Sequence, residues 1–120
     1  MMSAILEKNS RDPLYGYSVA SFLATLKEKL HNRVQAAYLF GSFNTNEFHA
    51  DSDIDLIIVK YTDLHFLERA TEFFDLLDIV PTMYILVYTP DEFKRLTSEP
   101  SPGFWQSVVA TIQPLITPAD

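Results

Sequence analysis

The sequence predicts one small α+β domain spanning residues 1–120, with helices covering a small mixed β-sheet. Three observations predict it. Apolar runs VQAAYLF (34–40), IDLIIVK (54–60) and TMYILVY (82–88) have the length and bounding residues of strands. Segments with apolar residues at helical spacing precede, separate and follow them. The chain has 120 residues, 48% hydrophobic and 21% charged, which is enough for one core and too little for two.

Residues 1–17 carry Pro13 and Gly16 and read as an irregular lead-in. In SVASFLATLKEKLHN, Val19, Phe22, Leu23, Leu26 and Leu30 recur at helical spacing behind Ser18, a plausible N-cap. The 34–40 strand stops at Gly41, and the loop to Ser52 is rich in Asn, Ser, Thr and acid. The 54–60 run is apolar on both faces, as suits a central strand covered on both sides. TDLHFLERATEFFDLLD (62–78) predicts a second helix, capped by Thr62 or Asp63, with Leu64, Leu67, Phe74 and Leu77 among its inner positions. Pro81 punctuates before the third strand, which Thr89-Pro90 ends. PDEFKRL starts a short helix with Pro90 at its first position. A last helix runs from Ser101-Pro102 to about Ile112, and Pro114 and Pro118 prevent its extension. The predicted order is helix, strand, strand, helix, strand, helix, helix.

Composition narrows the function. The net charge of −7 argues against DNA or bulk RNA as the primary partner, because neutralising phosphates takes a basic face. It leaves room for an acidic site that collects divalent cations. Absence of cysteine excludes disulfides and thiolate metal sites. No apolar run approaches the ~20 residues that span a bilayer, and MMSAILEKNSRD lacks the pattern of a signal peptide. The expectation is a cytoplasmic protein without membrane contact. The three histidines lack zinc-ligand spacing; His31 suits a helix C-terminus and His65 a helix surface.

The chemistry-bearing stretch is YLFGSFNTNEFHADSDIDLIIV (38–59). Gly41 allows close backbone approach to an anion, and the Ser42 hydroxyl adds a donor. Asp53 and Asp55, two apart at the start of a strand, point the same way and would face inward with that run. Left alone, the two carboxylates repel. A hard divalent cation, Mg2+ or Mn2+, removes the difficulty and accepts substrate phosphates as further ligands. A phosphate-cradling turn beside such a pair outlines metal-assisted phosphoryl or nucleotidyl transfer. The plainer alternative is an ordinary turn at Gly41-Ser42 and a strand boundary where Ser52 and Asp53 cap.

Gly41-Ser42, ten intervening residues and Asp53-Ile54-Asp55 together resemble the signature of the minimal nucleotidyltransferases of the DNA polymerase beta-like superfamily. AYLFGS and SDIDLIIV resemble the flanking strands, LVYTPDEFKRL the third strand and following helix, and FWQSVVATIQPLI the closing helix. The resemblance implies the polymerase beta-like fold, with Gly41 and Ser42 binding the phosphates of ATP or another NTP. It implies Asp53 and Asp55 as catalytic residues holding Mg2+ or Mn2+, with a third carboxylate on the following strand. Many stand-alone members of this size are the antitoxin half of a toxin–antitoxin pair. They bind a small helical HEPN-type protein, and some transfer AMP from ATP to a tyrosine on it. That activity is the leading expectation.

Two departures favour an alternative. Counting back from Pro90, the third carboxylate position falls on Tyr84, and a phenol is a poor Mg2+ ligand and a poor base at neutral pH. The loop FNTNEFHA lacks the basic residue that often follows Gly-Ser, although His49 is partly cationic at most. Glu47 and Asp51, in the loop, are other sources of a third carboxylate; for Asp75 and Asp78, upstream at the end of a helix, the strand register argues against that role. The alternative is a catalytically impaired pseudoenzyme that binds and masks a HEPN-type partner. An antibiotic-modifying transferase ranks third, since it would need a second domain for the drug. Tyr15, Tyr17, Phe43, Phe48, Phe104 and Trp105 fall near loops or helix ends, where they either anchor a partner or pack the termini. Homo-oligomerisation stays open.

Overall fold

A computed structural model describes residues 12–45, 48 and 52–118. The expectations for Glu47, His49, Asp51 and residues 1–11 lie outside the described residues. Helix α1 (Val19–Leu30) starts at Ser18, whose hydroxyl accepts the Ser21 N–H at 3.0 Å while Ser21 Oγ accepts the Ser18 N–H at 3.0 Å, a capping box with serine in both places. It buries Phe22, Leu26 and Leu30, one residue per turn; Val19, expected on this stripe, is exposed in the first turn.

Strand β1 (Ala36–Phe40) runs into a 3-10 turn at Gly41–Asn44, and β2 (Ile54–Val59) follows the loop. Helix α2 (Phe66–Arg69) continues as a 3-10 helix over Ala70–Asp78. Strand β3 (Met83–Tyr88), α3 (Pro90–Ser98), α4 (Phe104–Thr111) and β4 (Gln113–Ile116) complete the described order. The sheet order is β3-β2-β1-β4; β1 is antiparallel to β2 and β4, and β2 is parallel to β3. The mixed sheet and α+β class are those the sequence predicts.

Strand β2 separates two cores, as its doubly apolar text requires. Ile54, Leu56 and Ile58 face α1 and the 3-10 helix, with Phe22, Leu26, Phe73 and Leu76. Ile57 and Val59 face α3 and α4, with Phe40, Leu86, Trp105 and Val108. Asp55 shares the second face by alternation.

Two predicted elements need correction. The 62–78 segment is not one α-helix. Ala70, Phe73, Leu76 and Ile79 fall every third residue, the period of a 3-10 helix, and all four pack into the core. The chain kinks at Phe73 (φ −114°, ψ 16°) to hold that stripe inward. Leu64, Leu67 and Phe74, expected inside, are exposed, Leu67 to 86%. Strand β4 is absent from the predicted order, where Pro114 serves only to stop the last helix. It pairs with β1 through Pro114, and its place at the sheet edge tolerates the missing N–H.

Arg69 joins α2 to α3. Its side chain donates to Glu92 Oε1 at 2.7 Å, the Val87 carbonyl at 3.2 Å and the Leu64 carbonyl at 2.9 Å. Glu92 also accepts the Thr89 N–H at 2.9 Å, capping α3, and the Arg69 guanidinium holds its carboxyl below the usual range. Replacing Arg69 by Ala strands these acceptors. It should cost about 2–3 kcal/mol in urea unfolding, since Glu92 retains partial access to water. A loss below about 0.5 kcal/mol would show that the pair contributes as little as a surface ion pair.

Candidate active site

The site lies where β1 ends. Across the sheet, Phe40 of β1, Asp55 of β2 and Tyr84 of β3 form one register row on one face. Gly41 follows Phe40 with φ +81°, a conformation that L side chains rarely adopt. A Cβ on Gly41 would collide with Asp55 Oδ2, so the Asp55 carboxylate occupies the space that glycine leaves open.

One residue from the far end of the chain, Thr111, braces the turn. The Gly41 N–H donates to Thr111 Oγ1 at 2.8 Å, and Thr111 Oγ1 donates to the Ser107 carbonyl at 3.1 Å. The Asn44 amide donates to the Leu39 carbonyl at 2.8 Å and the Thr111 carbonyl at 2.7 Å. The Ser42 hydroxyl makes no hydrogen bond among the described residues.

Asp53 is exposed and Asp55 half-buried. Neither carboxylate meets a cation or a hydrogen-bond donor among the described residues. Burial raises the Asp55 pKa, and the charge of Asp53 raises it further. Asp75 is committed elsewhere: Arg33 holds it through two bonds of 2.9 and 3.0 Å, at the start of β1 rather than its Gly41 end. Asp78 lies in the 3-10 helix, ahead of the first residue of β3. Sequence reading missed Thr111 and Asn44, because no local pattern links residues 70 and 67 positions from their partners.

The profile of the family described as "Polymerase beta, Nucleotidyltransferase" matches residues 24–114. The chain belongs to this family. Among solved structures, this nucleotidyltransferase domain is similar to a crystal structure of a toxin–antitoxin with AMP-PNP, at 21% identity and a TM-score of 0.49, over 83% of this chain and 74% of that one. It is also similar to a mutant of the toxin–antitoxin MntA-HpeT, at 20% identity and a TM-score of 0.43, over 79% and 70%. No curated protein matches.

The donor set of this nucleotidyltransferase domain fits one hard divalent ion. Two carboxylates at one sheet end, unpaired among the described residues and one of them half-buried, suit Mg2+, which keeps several waters and takes phosphate oxygens as further ligands. No group of three or more metal-binding side chains forms among the described residues. The third place in the row is Tyr84.

The raised Asp55 pKa has a consequence for stability. The folded state holds this proton more tightly than the unfolded chain, so ionising Asp55 weakens the fold as pH rises from 3.8 through the folded value. Asp55→Asn should therefore melt above the wild type at pH 7, and the gap should close near pH 3.8. Adding Mg2+ at pH 7 should raise the wild-type Tm and leave Asp55→Asn unmoved. Equal Mg2+ effects on both proteins would place ion binding elsewhere.

Proposed function

We propose that this chain is a Mg2+-dependent nucleotidyltransferase that moves AMP from ATP to a hydroxyl on a partner protein, a small helical HEPN-type toxin. The observation that carries the reading is Gly41 packed on Asp55. A half-buried carboxylate with no partner among the described residues, seated where a left-handed glycine leaves room, is costly to stability and is accounted for by a site. The Gly41-Ser42 turn holds the phosphates, with the Ser42 hydroxyl as a donor. Asp53 and Asp55 hold Mg2+, which offsets charge on the phosphates during transfer. The acceptor oxygen bonds to the α-phosphorus, the bond to the α–β bridging oxygen breaks so that pyrophosphate departs, and the hydroxyl proton passes to water.

Tyr84 in the third place favours a second reading, a binding module that masks its partner without catalysis. Mass spectrometry of the co-purifying partner after incubation with ATP and Mg2+ decides between them. Transfer predicts a gain of at least one AMP on the partner, absent with Asp53→Ala, Asp55→Ala. A stable complex with no mass change in either sample would establish the masking module.

A further inference from the structure

Tyr84 stands out among the three tyrosines on its sheet face. Tyr38 stacks on Phe93 at 4.8 Å between ring centres. Tyr88 packs between Phe66 at 5.1 Å and Trp105 at 5.2 Å. Tyr84 has no ring contact and no hydrogen bond among the described residues, and it is 55% exposed. Its row partner across the sheet, Phe40, is buried at 5%. Packing explains Tyr38, Tyr88 and Phe40, but not Tyr84.

Its position supplies another role. Tyr84 pairs in register with Asp55, one strand spacing of about 4.8 Å away. Both side chains point to the same face. A phenol is longer than a carboxylate by a ring, so the half-exposed Tyr84 side chain has the length to carry its hydroxyl past Asp55. Where a carboxylate could help deprotonate an acceptor, this chain presents a hydroxyl. A phenol also loses its proton more readily than an aliphatic alcohol.

We propose that Tyr84 is itself a nucleotidyl acceptor, so that the chain modifies its own site with a nucleoside triphosphate. This rests on the nucleotidyltransferase reading above. A bond forms between Tyr84 Oη and the α-phosphorus. The bond from the α-phosphorus to the oxygen bridging to the β-phosphate breaks, and its electron pair leaves with pyrophosphate. The phenolic proton passes to water. Nothing is oxidised or reduced, and the product is a nucleotidyl-tyrosine phosphodiester. With its acceptor consumed and its product lying across the carboxylates, the site stops after a single event.

Peptide mapping by mass spectrometry after incubation of the whole chain with ATP and Mg2+ or Mn2+ tests the proposal. The expected result is up to one nucleotidyl group per chain, on the peptide holding Tyr84. Tyr84→Phe and Asp53→Asn should both remove it. Tyr84→Phe keeps the ring, so it should melt with the wild type. A readout without turnover accompanies this. Nitration of Tyr84 by tetranitromethane should slow at least about tenfold with Mg2+ and a non-hydrolysable ATP analogue, because bound nucleotide would cover an otherwise exposed ring. Nucleotide binding that needs Asp53, with no adduct on Tyr84 or an adduct elsewhere, would overturn the self-modification and leave the nucleotidyltransferase reading standing. Absence of nucleotide binding would overturn both.

Discussion

Tyr84→Asp should raise AMP transfer to a separate hydroxyl acceptor by about ten- to a hundredfold, because a positioned general base contributes roughly 10²–10⁴ in rate and part of that goes to metal affinity here. The substitution sits in register with Asp55 on the same face, so the new carboxylate extends the acidic row across the sheet. At 55% exposure, Tyr84 gives up little burial when replaced, and the fold should lose less than about 1 kcal/mol. The price is charge: a third carboxylate without a cation adds repulsion beside Asp55, whose pKa is already raised by burial and by Asp53. The variant should therefore melt below the wild type without divalent ions and recover on adding Mg2+. The same change removes the phenol, so it separates the acceptors: labelling within the chain disappears while transfer to the partner rises. Continued silence with the true acceptor would favour the masking module.

Gly41→Ala should weaken nucleotide binding and also destabilise the fold. The backbone there is left-handed, which costs an L residue about 1–2 kcal/mol. The added methyl meets the Asp55 carboxylate, and overpacking of this kind costs about 1–3 kcal/mol. Asp55 must swing aside, or β1 and β2 must part at Phe40 and Asp55. Isothermal titration with ATP and Mg2+ should show affinity at least about tenfold weaker, and urea unfolding a loss of about 2–4 kcal/mol. A double variant, Gly41→Ala with Asp55→Ala, removes the collision but keeps the backbone strain. It should recover part of the stability and none of the binding, and the non-additivity measures the contact. An additive double variant would mean that Gly41 and Asp55 do not press on each other in solution.

Much of the fold was legible in the chain. The first three strands, α1 with its Ser18 cap and α3 with Pro90 in its first turn lie where local pattern places them. The two faces of β2 follow from its unbroken apolar text. Misreadings arose where one residue type admits two meanings. Pro114 stops a helix, yet it is tolerated in an edge strand, and only pairing with β1 decides between these. The 62–78 segment offers apolar residues at both three- and four-residue spacings. Phe73, Leu76 and Ile79 won because they reach the sheet, leaving Leu67 and Phe74 outside.

By itself the sequence determined the α+β class, the central doubly covered strand, and the nucleotidyltransferase signature of Gly41-Ser42 and Asp53-Ile54-Asp55. These depend on periodicity and linear spacing, which are properties of neighbours along the chain. Tertiary structure alone decided that Asp55 fills the space above Gly41, that Thr111 latches the turn, that Asp75 belongs to Arg33, and that Tyr84 stands beside Asp55. Each of these follows from which strands pair and in what register. A shift of one residue would turn Asp55 or Tyr84 to the opposite face. Register is set by two cores packing at once against the whole sheet, and no local stretch of sequence carries that information.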